Sequence, residues 1–150
     1  MKHGTSTINP EIIASGAYGI DSRYSKSGFY GSAAYTAEDS IYSHDFRYNK
    51  NNILAQMFIV RVAAGKIYDA ENIFINNDKE KYINMIHPPI GYDSVRGFVT
   101  PDNKAIMVYQ PEFTYPEYLI TYEIWNMLFF VYKNNLLYFY LYILKFSYYS

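Results

Sequence analysis

Cysteine is absent from the 150 residues. Its absence excludes disulfides and thiolate metal ligands, and it suits a reducing compartment, the cytoplasm or nucleus. Charge of one sign is also lacking, with a formal net charge of −1. Without a basic excess, nothing draws the chain to nucleic acid by charge alone. The opening MKHGTSTINPEII has no apolar stretch of the kind a cleaved secretory signal needs. The C-terminal WNMLFFVYKNNLLYFYLYILKFSYYS is strongly apolar, yet Lys133, Asn134 and Asn135 divide it. The longest unbroken part, Leu136 to Leu144, falls well short of the roughly 20 residues of a membrane span. Lys and Asn are also costly at mid-bilayer. The expectation is therefore a domain over residues 1–123 carrying an apolar extension over 124–150, with no membrane partner.

What is present is aromatic. Nineteen tyrosines and ten phenylalanines suit pleated, half-buried surfaces, which argues for a strand-heavy protein. The length allows one domain with a real core. Asn9-Pro10 ahead of Glu11-Ile12-Ile13-Ala14 reads as a helix start, and Gly16 is placed to end it. From Gly16 to Gly31 four glycines lie among Ser, Asp and Lys, so this stretch reads as a loop wrapping closely around something. Gln56 to Val62 alternates as a strand. Ile106 to Tyr109 and Tyr118 to Tyr122 read as two more, with Pro111 and Pro116 keeping their connection irregular. Residues 72–84 have no period and read as loop. The fold class expected is α+β.

Four ordered segments carry a resemblance: His3-Gly4-Thr5; Gly28-Phe29-Tyr30-Gly31 with Ala34-Tyr35-Thr36-Ala37-Glu38; Tyr92-Asp93-Ser94-Val95; and Tyr115-Pro116-Glu117-Tyr118-Leu119-Ile120-Thr121-Tyr122. Ser43 follows eight places after Tyr35. Across Met1 to Tyr122 this series resembles the catalytic domain of the poly(ADP-ribose) polymerase family. The resemblance implies an ADP-ribosyltransferase fold, with short antiparallel strands in two small sheets around an NAD cleft. It implies NAD as substrate, proteins as acceptors of ADP-ribose, and no metal. The zinc site of one branch needs cysteines, and the chain has none, its histidines being His3, His44 and His87. With only Met1 and Lys2 ahead of His3, the domain's first strands and helix are expected to be missing.

By the same resemblance, His3 and Tyr35 are catalytic. His3 would bond a ribose hydroxyl, Gly4 and Ser43 would grip the carboxamide, and Tyr35 would stack on the nicotinamide. A second aromatic would close the sandwich: Tyr48 fits the members that transfer single units and is preferred, while Phe46 fits the polymerising ones. The Gly16–Gly31 loop would cover the adenosine half, with Thr5 and Arg23 as contacts. Polymerising members carry a glutamate as a third key residue. Counting back without gaps along KAIMVYQPEFTYPEY puts that position at Ala105, with Glu112 the alternative. An alanine there implies transfer of single units to proteins, with release of nicotinamide. The other reading is a catalytically inactive NAD-pocket module or a fragment of a larger protein of this kind.

Overall fold

The computed structural model describes residues 1–16, 19–24, 26–51 and 53–124. Of the expected 124–150 extension only Ile124 is described; the remainder lies outside the described residues. Strands dominate: β1 Lys2–His3, β2 Ala34–Ala37, β3 Tyr48–Asn49, β4 Leu54–Val62, β5 Ile67–Asp69, β6 Ser94–Phe98, β7 Lys104–Val108 and β8 Thr114–Glu123. Two short helices join them, α1 Pro10–Ala14 and α2 Ser40–Asp45. The architecture is mixed, mostly β with few helices, and compatible with α+β. No helix among the described residues is long and apolar enough to cross a membrane.

α1 forms where the sequence signals it. The Asn9 side chain accepts from the Glu11 N–H, and Pro10 occupies the first turn. A side-chain cap of this kind contributes about 1 kcal/mol. α2 has a matching start, since the Asp39 carboxylate accepts from the Ile41 N–H at 2.9 Å.

Instead of two small sheets, hydrogen bonding joins all eight strands into one. β8 pairs with β4 along the whole of Leu54–Val62. The other edge of β4 is therefore shared end to end by β1, at Phe58 and Ile59, and β3, at Ala55 and Gln56. From β1 the sheet continues through β2, β7 and β6 to β5. Only the last pairing is parallel. The continuity arises because two-residue β1 contacts both β4 and β2.

Pro116 does not interrupt the chain here, because it lies inside β8. β8 pairs only through β4 among the described strands, and an edge strand tolerates a residue without an N–H. The register shifts at this place: Val60 faces Pro116 while Ile59 faces Tyr118. Glu117 is the extra residue of the bulge, and its carboxylate pairs with Arg61.

The period-2 alternation sends side chains into three clusters, the smallest formed by Ala55 and Met57 of β4 with Tyr122 of β8. On one side Tyr30, Tyr82, Val95, Ala105 and Met107 pack together under the long connection from β5 to β6. Tyr30 stacks on Tyr82 at 5.4 Å. On the other side Ile20, Ala34, Phe58 and Val60 pack with Ile13 of α1 and Leu119 of β8. Phe58 is buried to 1% exposure, a burial that contributes about 2–3 kcal/mol.

Candidate active site

β1 and β2 share a single pair, Lys2 opposite Ala37. At the next residue of β1 the link is made by a side chain: His3 Nδ1 lies 2.8 Å from the Tyr35 carbonyl oxygen. A carbonyl can only accept, so Nδ1 carries the proton. Burial is the main influence on this ring and lowers its pKa below the ordinary 6.5, with the Tyr35 carbonyl opposing. A neutral imidazole protonated on Nδ1 leaves Nε2 as a bare acceptor. Such a group can take a hydrogen bond from a hydroxyl.

His3 lines a cleft of about 330 Å³, a volume at the lower end of small-molecule sites. One wall is His3-Gly4-Thr5 and the turn that follows. That turn is held by the Thr5 hydroxyl donating to the Ile8 carbonyl at 2.7 Å. A second wall is α2, through Tyr42, Ser43 and Phe46. A third is the glycine-rich loop, through Ile20, Asp21, Lys26, Ser27 and Gly28. Tyr35 of β2 lies between them.

Two glycines make this closeness possible. A Cβ on Gly4 would stand 2.4 Å from the Phe46 carbonyl oxygen and 2.5 Å from that of Ser43. Only a residue without a side chain lets β1 run this close to the end of α2. A Cβ on Gly28 would stand 2.6 Å from the Tyr35 hydroxyl. That hydroxyl accepts from the Tyr30 N–H at 2.8 Å and donates to the Gly31 carbonyl at 3.0 Å. Tyr35 therefore ties the loop to the sheet through its tip. Burial raises its pKa above the ordinary value, with the Tyr30 hydrogen bond opposing. Burial, assisted by Asp45, pushes the Tyr42 phenol up to about 12. Both phenols stay protonated at neutral pH.

The cleft brings together His3, Gly4, Thr5, Tyr35 and Ser43, and Ser43 is buried to 2% exposure. Three other expected residues stand outside its lining. Tyr48 begins β3 and pairs with Gln56 of β4. Phe46, at the end of α2, holds the place on the wall instead. Arg23 is exposed and folds back on Asp21 with a forked contact of 2.6–3.0 Å. Ala105 is fully buried in β7, opposite Ala37 and Gly97 and packed beside Met107. The alternative Glu112 lies in the turn Pro111–Phe113, also outside the lining. Among the described lining residues Asp21 is the one carboxylate.

Sequence reasoning missed Tyr42 and Lys26. The signal for Tyr42 was its spacing to Phe46: residues i and i+4 meet on one helix face, and these rings lie 5.0 Å apart. Lys26 had no distinguishing pattern.

No family model matches this sequence. The chain is similar to a probable poly(ADP-ribose) polymerase of Dictyostelium discoideum, 28% identical over 123 residues. The match covers 81% of this chain and 32% of that protein. The chain thus spans about a third of the length of the curated relative it matches.

Proposed function

We propose that this chain is an NAD-dependent ADP-ribosyltransferase that places single ADP-ribose units on protein acceptors. The observation that carries the reading is the meeting of a neutral His3, the bare backbone of Gly4, buried Ser43 and the aromatic Tyr35, Tyr42 and Phe46 around one cleft. The likeness to a probable poly(ADP-ribose) polymerase supports the same reaction class.

The chemistry asks for such a set. Cleaving the nicotinamide–ribose bond passes through an oxocarbenium-like sugar, as glycoside hydrolysis does. The chain's part is to bind, orient and exclude water. Gly4 and Ser43 would hold the carboxamide, with Tyr35 and Phe46 against the ring. His3 Nε2 would accept from a ribose hydroxyl and so fix the sugar for attack. The bond from ribose C1′ to the pyridinium nitrogen breaks, and its electron pair leaves with neutral nicotinamide. An acceptor oxygen forms the new bond to C1′. A carboxylate acceptor has no proton to lose, and a hydroxyl acceptor releases its proton to solvent.

Single units follow from the missing carboxylate. Chain extension must activate a ribose hydroxyl, a poor nucleophile without a positioned base. The one carboxylate on the described cleft wall, Asp21, is engaged by Arg23. The same shortage favours a second reading, a pocket that binds NAD or ADP-ribose without turnover. Incubation with labelled NAD and denaturing electrophoresis separates the cases. Discrete labelled bands support the proposal, a high-molecular-weight smear overturns the single-unit assignment, and no label with intact NAD binding selects the second reading.

A further inference from the structure

Tyr30 is fully buried, and both of its main-chain polar groups are held by hydroxyls that come from the sheet. Its N–H donates to the Tyr35 hydroxyl at 2.8 Å, and its carbonyl accepts from the Tyr109 hydroxyl at 2.9 Å. Tyr35 is in β2, and Tyr109 directly follows β7, the strand paired with β2. The Gly28–Gly31 turn closes on itself through two main-chain bonds of 3.0 and 3.1 Å, which shape the turn without fixing it to the sheet. The two hydroxyls supply that attachment. The Tyr30 ring adds a peg, since it lies against the bare backbone of Gly97, where a Cβ would stand 2.2 Å from it, and its hydroxyl donates to the Phe98 carbonyl at 3.1 Å. Tyr35 lines the cleft, whereas Tyr109 stands outside its lining. The Tyr109 phenol has one proton, and the Tyr30 carbonyl at 2.9 Å is a far better acceptor than the Met85 sulfur at 3.8 Å. Burial first, and then Tyr30, raises its pKa, so the proton is kept for that bond at neutral pH.

We propose that Tyr109 is a positioning residue for the cleft, fixing the Tyr30 carbonyl so that the Tyr30 N–H stays on the Tyr35 hydroxyl and the Tyr35 ring keeps its angle. This rests on the reading of Tyr35 as a wall against nicotinamide. Tyr35 is anchored at its base by the pairing of β2 and at its tip by Tyr30. The tip is therefore only as well placed as Tyr30 is, and the next residue, Gly31 at a φ of 72°, has no side chain to restrain the backbone. Without the Tyr109 hydroxyl the peptide between Tyr30 and Gly31 is free to tilt about the turn's own bridge, and the tip moves with it. Tyr109 touches no ligand, and its removal is felt through the orientation of the Tyr35 ring.

The test is calorimetric titration of the full chain with nicotinamide, alongside hydrogen exchange without ligand. Tyr109→Phe keeps the ring and should weaken nicotinamide by about threefold to tenfold, the scale of one hydrogen bond. It should also speed exchange at the Gly28–Gly31 turn. Added to Tyr35→Phe, it should cost less than the product of the two single losses, because both act through Tyr30. Ser94→Ala is the control, since it removes a fully buried hydroxyl that donates to the Ala64 carbonyl at 2.7 Å, outside the cleft lining. It should lower the melting temperature and leave nicotinamide affinity unchanged. Unchanged affinity in Tyr109→Phe, multiplied losses in the double variant, or an equal loss in Ser94→Ala would overturn the positioning role. If the parent chain does not bind nicotinamide, the NAD reading itself fails. Exchange at the turn then still decides the role of Tyr109, and unchanged protection in Tyr109→Phe overturns it.

Discussion

His3 Nδ1 lies 2.8 Å from the Tyr35 carbonyl oxygen, bridging the two strands beside their single shared pair. One contact thereby sets a tautomer and joins β1 to β2. His3→Ala should abolish nicotinamide release. His3→Gln should keep some fold stability and still fail in turnover, because an amide does not reproduce the imidazole's reach and its bare Nε2. Circular dichroism alongside the turnover assay separates folding from chemistry.

The buried ring also makes stability depend on pH. The folded pKa of His3 is below 6.5, chiefly through burial, while the unfolded chain titrates near 6.5. Below that pH the unfolded state binds more protons, so stability falls as pH drops from 6.5 toward the folded pKa. His44 shifts the same way, by burial first and then by Arg47. Melting temperatures at pH 7.5 and 5.5 should show the parent losing stability at the lower pH. His3→Gln should lose less, with the remainder due to His44 and the Met1 amine, whose pKa burial also lowers.

Gly4→Ala tests how closely β1 passes the end of α2. Its Cβ would meet two backbone carbonyls at 2.4 and 2.5 Å, and backbone cannot swing aside as a side chain tip can. A loss of about 1–3 kcal/mol is expected, the usual cost of overpacking. Denaturant titration checks it, and unchanged stability would mean that α2 shifts freely.

Tyr35→Phe removes the hydroxyl that holds Tyr30 N–H and Gly31 C=O while leaving the ring. A buried N–H without its acceptor costs about 1–3 kcal/mol. Hydrogen exchange should show faster exchange at the Gly28–Gly31 turn, with β7 unaffected.

Phe46→Ala should weaken binding of nicotinamide, and Tyr48→Ala should not, because Phe46 lines the cleft and Tyr48 belongs to β3. The reverse result would move the second aromatic back to Tyr48.

Much of this was legible in the residues, for physical reasons that differ by element. β4 showed itself through alternation, since its two faces enter different cores. α1 showed itself through Asn9 and Pro10, whose effects are local. α2 has six residues and no apolar period, so nothing in the pattern marked it. β8 was read short because Pro116 looks like a breaker until the strand is known to lie at an edge. His3, Gly4, Tyr35 and Ser43 came from ordered motifs and share one cleft. Arg23, Tyr48 and Ala105 came from loop membership or counted spacing. Counting cannot see that a guanidinium folds onto its neighbour, that a helix ends at Phe46, or that a strand turns Ala105 into the core.

We propose that this cleft breaks the nicotinamide–ribose bond of NAD. The most direct measurement is nicotinamide released from NAD by the full chain, followed by chromatography, with the intact protein weighed by mass spectrometry. Release that His3→Ala abolishes is expected, together with a protein mass raised by single ADP-ribose units. NAD binding without release would leave only a binding pocket, and release unchanged in His3→Ala would contradict the site.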